Sequence, residues 1–464
     1  MPVNSFENYP MSWKPQKSQL ERPYYLSLAS LLEQDIRSGT LKENTKLPPQ
    51  RELADFLDLN LSTITRAYKL CELKGLLYAV TGRGTFVSSG IHAQDTFLDQ
   101  DLTAIEMGMI KPFYECNPAV LSAAQAVLQK PEAVKLLEYS NPFGTRRQLQ
   151  AAAKWFRYLG ITPAEDQIFL TAGAQNALSV AMMSLFRAGD KIAVDHFTYT
   201  NFKGLANFLH IQLVPVNADN FGMNPEALLQ TCKNTEVKGV YLMPSCSNPT
   251  GIFMPLQRRE KLAEIVEQFH LLIIEDDIYS FLDSSHTQSF FSILPEQTIH
   301  ICSLSKSLCA GLRVAFLAFP EKYRENLETG ILDINLKTVS LNAEIIAELI
   351  DSGKAMQITQ KKISLAKRRN QIFQSVFKPS VQYDLPRFYH WIPLPHHLTS
   401  VEAEIQAAKK GVHILGSHRF AIKSDSDEGF IRVSIVSPDT ETELKNGLLI
   451  LKSALEQKST EFFV

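Results

Sequence analysis

The residues of this chain best suited to covalent chemistry lie in SLSKSLCAGLRV, residues 303–314. Lys306 follows an apolar, strand-like run and two serines, and Arg313 comes one to two helical turns later. A lysine amine can condense with an aldehyde to give a Schiff base. The hydroxyls of Ser303 and Ser305 and the guanidinium of Arg313 can hold a phosphate, the arginine in bidentate fashion. Taken alone, Ser-x-Ser-Lys is a short pattern that a surface lysine explains more simply. Its upstream context decides the matter.

That context is YLMPSCSNPTG (241–251) and LLIIEDDIYSFL (271–282). Asp276 ends an apolar run, which places it at the C-terminal end of a strand, where ligands collect in parallel sheets. A carboxylate there can keep a pyridine nitrogen protonated and so strengthen an aromatic electron sink. Asn248 and Tyr279 are suited to hydrogen-bond a phenolic ring oxygen. If Asp276 were only a helix N-cap, the Asn-Pro-Thr-Gly turn would stay unexplained. A third piece, FLTAGAQNAL (169–178), puts Gly173, Ala174 and Gln175 at a strand-to-helix junction, where backbone N–H groups and the helix dipole favour phosphate. Aldehyde, pyridine and phosphate together describe pyridoxal 5'-phosphate.

With Asn248, Asp276, Tyr279, Lys306 and Arg313 in this order, the chain resembles fold-type I aminotransferases from about residue 105 to its end. The resemblance implies that Lys306 carries the Schiff base and Asp276 partners the pyridine nitrogen. It implies that Tyr199, in DHFTYTNF, lies against the cofactor ring, and that Arg432, in FIRVSIVSP, takes a ligand's α-carboxylate. Tyr139, in YSNPFG, would reach the phosphate of the other subunit, which implies a head-to-tail homodimer. The chain departs from the family pattern at several positions. PRFYHW, around Phe388, stands where a Gly-Gly pair is usual, while Ala310 and Leu415 stand where prolines are usual. Relatives that bind γ-amino acids carry a second arginine shortly after the stacking tyrosine, and Asn201 is found there instead. The ligand is therefore open.

These groups need a scaffold that brings several strand ends together. Strand-like runs at 168–170, 191–194, 239–243, 271–274, 299–303 and 315–319 alternate with helical stretches such as 176–187 and 256–270. That alternation predicts an α/β domain, a mainly parallel sheet with helices on both faces, here with a small C-terminal α+β subdomain.

A second signal precedes it. In LPPQRELADFLDLNLSTITRAYKLCELKGLLYAVTGRGTFV (47–87) two short helical patterns flank a tight turn and a hairpin follows, a scaffold that sets one helix into the DNA major groove. Leu28, Leu31, Leu32 and Ile36 form the stripe of a preceding helix that Gly39 stops. Leu53, Ala54 and Leu57 form the stripe of the second helix. The third is expected from Ser62, as N-cap, to Glu72, with Ile64, Ala67, Tyr68 and Leu70 or Cys71 inward. Asn60, Ser62, Thr63, Thr65 and Arg66 would face phosphates or base edges, and Arg51 and the wing residue Arg83 would neutralise backbone phosphates. A plain three-helix bundle explains the stripes but not the whole segment. That segment resembles the winged helix of the GntR family through its Leu-Pro start, Arg51-Glu52-Leu53-Ala54, Thr-x-x-x-Ala-Tyr and Gly-x-Gly-Thr-Phe-Val. Leu61 replaces the arginine common before the recognition helix, which leaves the operator sequence open.

Composition agrees with this division. The chain has 464 residues, 45% hydrophobic and 21% charged, with a formal net charge of −2, so any DNA-binding face is local. Its six cysteines show no CxxC pair, no metal-ligand spacing is present, and His396, His397 and His413 read as surface or packing residues. Neither a secretory signal nor an apolar run of membrane-spanning length is found, and a cytoplasmic location is expected. The expected division is an arm over 1–20, a winged helix-turn-helix over 21–87, a linker over 88–104 and an aminotransferase-like domain over 105–464.

A winged helix of GntR type joined to an aminotransferase-like domain is the layout of the MocR regulators, and the resemblance covers nearly the whole chain. It implies a dimeric, DNA-binding transcription regulator that senses pyridoxal phosphate, an amino compound, or both, through aldimine formation. The rival reading is a working aminotransferase with an accessory winged helix, which would release a keto acid where a sensor stops at an aldimine.

Overall fold

The computed structural model describes residues 11–37, 39–42, 45–73, 76–80, 84–87, 104–283, 285–378, 386–396, 398–422 and 429–456. Contacts divide the chain into two compact units, Met1–Asp99 and Gln100–Val464.

In the first unit, α1 (Tyr24–Arg37), α2 (Gln50–Leu57) and α3 (Leu61–Leu73) are followed by strands β1 (Leu77–Val80) and β2 (Gly84–Val87). Residues at i, i+3 and i+4 spacing bury one stripe of each helix: Leu28, Leu32 and Ile36; Leu53, Ala54 and Leu57; Ile64, Ala67, Tyr68 and Cys71. Each large aliphatic side chain so buried contributes about 1.5–3 kcal/mol. Gly39 takes a left-handed φ of +78° and ends α1, as expected. Two expectations are corrected. Asn60, not Ser62, precedes α3, so Ser62 lies inside its first turn. The arm expected over 1–20 is, from residue 11 on, part of this core. Trp13 is only 4% exposed and its indole N–H donates to Asp35 at 2.7 Å. Lys17 meanwhile pairs with Asp58 at 2.8 Å, in the turn between α2 and α3. β1 and β2 pair antiparallel, and the segment before α2 adds to the hairpin through Leu47 N–H to Thr85 and Val87 N–H to Thr45. The expected linker lies almost wholly outside the described residues.

The second unit is built on seven strands: β3 (Ile168–Thr171), β4 (Lys191–Asp195), β5 (Gln212–Val216), β6 (Gly239–Leu242), β7 (Leu272–Asp276), β8 (Thr298–Ser303) and β9 (Ala315–Ala318). Their spatial order is β3-β9-β8-β7-β6-β4-β5, and β9 alone among them runs against its neighbours. Six of these strands match the apolar runs of the sequence; β5 does not, because its edge position leaves it only partly buried. Helices cover both faces. On β7, Ile274 packs with Leu178 and Ala181 of α4 (Ala174–Leu185), while its neighbour Ile273 packs with Leu262 and Val266 of α5 (Leu256–Gln268). Successive strand residues point to opposite faces, which is why these strands read as unbroken apolar runs.

The C-terminal subdomain follows a long helix, α6 (Lys354–Phe377), and contains a three-stranded antiparallel sheet of β10 (Tyr389–Pro393), β11 (Leu415–Gly416) and β12 (Phe430–Ser434), then α7 (Glu441–Glu456). Residues 105–106 pair with 412–413, so the start of this unit is stitched to its end. Among the described residues no helix is long and apolar enough to cross a membrane.

Candidate cofactor site and DNA-facing surface

The sheet puts its functional residues on one edge because β3, β4, β6, β7 and β8 all end there. Gly173 follows β3, Tyr199 follows β4, Asn248 follows β6, Asp276 closes β7 and Lys306 follows β8. β9 begins on the same edge, pairing Ala315 with both Ser303 and Thr171, and so brings Arg313 back to it.

Lys306 lies in a single helical turn, Leu304–Ser307, that Ser303 caps by accepting from the Ser305 N–H at 3.3 Å. Its ammonium donates to the carbonyl of Ile110. Burial and the charges of Arg432, Lys362 and Arg313 push its pKa down to about 7, so much of the amine is in the nucleophilic form at neutral pH. The Arg313 guanidinium donates to the Ser305 hydroxyl at 3.1 Å, while its own backbone takes a left-handed φ of +50°. Gly173 lies against it: a Cβ at Gly173, whose φ is +88°, would stand 2.7 Å from Arg313 Nη2. Ala174 and Gln175 open α4 at that point, so the helix N-terminus and Arg313 face one spot.

Asp276 is buried, and Tyr241 on β6 donates to its Oδ2 at 2.8 Å. Burial raises the Asp276 carboxyl to about 7. Among the described residues, Oδ1 of Asp276, the hydroxyl of Tyr279 and Oε1 of Gln175 are buried without a hydrogen-bond partner. An orphaned buried polar group costs about 1–3 kcal/mol, so each of these is a demand for a ligand atom. Tyr199 is pushed up to about 12 by burial and by Asp276, and it also feels the charges of Arg432 and Arg313. Asn248 accepts from Arg432 Nη1 at 2.7 Å; Arg432 Nη2 reaches Gly108 O at 2.6 Å, and its guanidinium covers Phe420 at 4.8 Å. An acceptor for a pyridinium N–H, a hydroxyl for a ring oxygen, an arginine over a helix N-terminus and a lysine amine of lowered pKa fit pyridoxal phosphate.

Tyr139 stands apart from this group at 88% exposure. The Phe388–Tyr389 pair is fully buried: Phe388 lies edge-on to Tyr279, and the Tyr389 hydroxyl donates to the carbonyls of Cys246 and Ser247. Four contributors were missed in the sequence. Tyr241 is a lone hydroxyl in an apolar strand, Lys362 looks like one more charge on a polar helix, and Glu275 and His300 pair at 2.8 Å only once β7 and β8 are adjacent. Glu275, Asp277 and His300 come within 4.8 Å of one another although no metal-ligand spacing links them. Both Glu275 oxygens are already held, by the N–H groups of Phe290 and Phe291 and by His300.

In the first unit Arg51, Asn60, Ser62, Thr65 and Arg66 are exposed and Thr63 is half-buried. Two of them are engaged within the unit. Thr65 donates to Gln50 at 2.7 Å, and Arg66, expected to be free for DNA, stacks on Tyr25 at 4.2 Å. Arg83 lies outside the described residues. Leu61, at the start of α3, is 42% exposed.

Residues 112–448 match the family described as aminotransferase class I and II, and residues 24–87 match the bacterial regulatory proteins of the gntR family. The HTH-type transcriptional regulator YdeF of Bacillus subtilis is 39% identical over 98% of this chain and 99% of its own length. The vitamin B6 salvage pathway transcriptional repressor PtsJ of Salmonella typhimurium is 25% identical, covering 85% of this chain and 90% of its own. Among solved structures, the kynurenine aminotransferase of Pyrococcus horikoshii superposes with a TM-score of 0.71 at 21% identity, over 80% of this chain and 94% of that one. With a GntR winged helix ahead of a complete aminotransferase fold, the chain belongs to the MocR subfamily of GntR-type transcription regulators, whose large domain carries pyridoxal 5'-phosphate.

Proposed function

We propose that this regulator, acting as a homodimer in the cytoplasm, alters its affinity for an operator when pyridoxal phosphate, an amino compound, or both occupy the large domain. The observation that carries this is the set of buried, unpartnered groups of Asp276, Tyr279 and Gln175 at the sheet edge that bears Lys306. When bound, the cofactor supplies an aldehyde that condenses reversibly with amines. Lys306 would hold it covalently, and Asp276 would accept from its ring nitrogen. Tyr279 and Asn248 would hydrogen-bond its ring oxygen, and Tyr199 would pack on its face. Gly173, Ala174, Gln175, Ser303, Ser305 and Arg313 would bind its phosphate. Arg432 would take the carboxylate of an amino ligand.

Tyr139 contributes little to its own protomer's core, which supports its reaching a neighbour's phosphate in a head-to-tail dimer. The boundaries at 87, 88–104 and 105–464 belong to the same reading, with residues from 11 on joined to the winged helix and Arg51, Asn60, Ser62, Thr63, Thr65, Arg66 and Arg83 on the DNA. A ligand shifts DNA affinity only if it binds two global states unequally.

The test is an absorption titration of the purified chain with amino acids and amines, run beside operator binding, with Lys306→Ala as control. A cofactor band that one ligand changes lastingly, with a matching change in operator affinity and no keto acid, is expected. Absence of any cofactor band in the wild type would overturn the proposal. Release of keto acid would favour the second reading, an aminotransferase that also binds DNA, which the joint presence of Lys306, Asp276 and Arg432 supports. For the dimer, chains carrying Lys306→Ala mixed with chains carrying Tyr139→Ala should recover one intact site per pair. No recovery would mean that Tyr139 serves its own protomer.

A further inference from the structure

Lys362 is a lysine with no exposed surface, in the middle of α6. A buried ammonium is costly unless its donors are satisfied, so its partners show what it is for. They are the carbonyl oxygens of Lys306, at 3.1 Å, and Leu308, at 2.7 Å. These carbonyls lie at the end of the single helical turn that carries Lys306, where a cation is favoured by the unsatisfied C=O groups. Two turns further along the same helix, on the same side, Arg369 donates to the carbonyls of Ile435, at 3.1 Å, and Pro438, at 2.6 Å, just beyond the strand that bears Arg432. Next to it Asn370 bonds Arg387 O at 2.9 Å and His390 at 3.0 Å. One helix therefore grips the lysine turn at one point and the C-terminal subdomain at another.

We propose that Lys362 is a positioning residue for Lys306, holding the backbone of its turn in place and setting a buried cation beside it. Through it, α6 links the amine-reactive lysine to the subdomain that carries Arg432. The inference rests on the reading of Lys306 given above. The charged groups facing Lys306 are Lys362 on α6, Arg313 ahead of β9 and Arg432 on β12, all cationic; the titratable groups facing Lys362 are the neutral thiols of Cys116 and Cys309. Burial lowers Lys362 to about 8, so it still carries its charge through most of the range in which Lys306 titrates.

The experiment is the pH profile of labelling of Lys306 by trinitrobenzenesulfonate in the cofactor-free full chain, read by peptide mass spectrometry, for the wild type, Lys362→Met and Lys362→Arg. Circular dichroism and thermal unfolding establish that each chain is folded. The wild-type midpoint is expected near 7. Lys362→Met should move it up by about one pH unit, so that labelling slows about fivefold at pH 7 and about tenfold well below it, and Lys362→Arg should restore it. A purely structural role would instead open the turn and speed labelling at every pH with the midpoint unmoved. That result, or a midpoint in Lys362→Met equal to wild type, overturns the proposal. A wild-type chain that never shows a cofactor band would sink the function proposed above and leave this measurement standing. Should Lys362→Met fail to fold, Lys362→Gln carries the same expectation, since glutamine donates to the carbonyls without the charge.

Discussion

The two units solve opposite problems with the same residue types. In the first unit the functional polar groups sit outside the core: Ser62 and Arg51 are exposed, Thr65 bonds its neighbour Gln50, and Arg66 rests on Tyr25. Among the described residues of that unit no buried side-chain polar atom lacks a partner. In the second unit Asn248, Asp276, Tyr279, Ser303, Ser305 and Arg432 are buried, some polar atoms lack partners, and three acids stand well above their usual range: Asp195 and Asp276 at about 7 and Asp277 at about 6. A surface reads a large ligand by contacts added to a finished fold. A buried edge holds a small one by relieving defects built into the fold.

The sharpest break of that contrast is Lys306→Ala, which should abolish the cofactor's absorption band while leaving operator binding by the cofactor-free chain unchanged. Loss of both together would mean that the units are not separable in function. Second, Trp13→Ala should destabilise the first unit by about 3–5 kcal/mol, because a buried indole and its bond to Asp35 disappear. Operator binding should fall with it while cofactor uptake persists; unchanged unfolding would restore the free arm.

Third, in cofactor-free protein Asp276 keeps its proton to about pH 7, whereas the unfolded chain releases it near 3.8. The folded state thus binds more protons between these values, so stability falls as pH rises through them and levels off above. Asp276→Asn should flatten that fall by up to roughly 4 kcal/mol, measured by denaturant titration from pH 4 to 8. An unaltered slope would show that Asp276 is ordinary. Fourth, Gly173→Ala should weaken cofactor binding about tenfold, since a methyl group at a left-handed φ also crowds Arg313. The mildest effect is expected from Arg51→Ala, which should reduce the salt dependence of operator affinity by about one unit of log–log slope, with cofactor binding untouched.

How much of this could be read from the sequence follows from the same contrast. Asp276 and Lys306 were legible because apolar runs stop at or just before them, Asn248 because it opens an Asn-Pro-Thr-Gly turn, and Arg313 because it follows the lysine at short spacing. The stripes of α1, α2 and α3 were legible because a helix repeats its buried side every third or fourth residue. Trp13 was not, since one aromatic in a polar, proline-rich segment shows no period. Tyr241 and Lys362 escaped for another reason. Their partners, Asp276 and Lys306, lie 35 and 56 positions away, and only the folded chain reveals that a tyrosine in a strand or a lysine on a helix faces inward. Ser62 failed as a cap by two positions, the ordinary error when several short polar residues crowd a helix start.

The bond between Arg432 and Asn248 has a consequence for selectivity. Since the guanidinium already rests against an amide oxygen and the carbonyl of Gly108, a carboxylate bound as proposed above would compete with contacts in place rather than fill a vacancy. Its affinity is the difference between a charged and a neutral acceptor, and an amine without a carboxylate leaves the old contacts intact. On the reading proposed above, the held arginine would act as a threshold: amines of any kind could test the site, but a carboxylate would have to displace the Asn248 amide oxygen and the Gly108 carbonyl from the guanidinium.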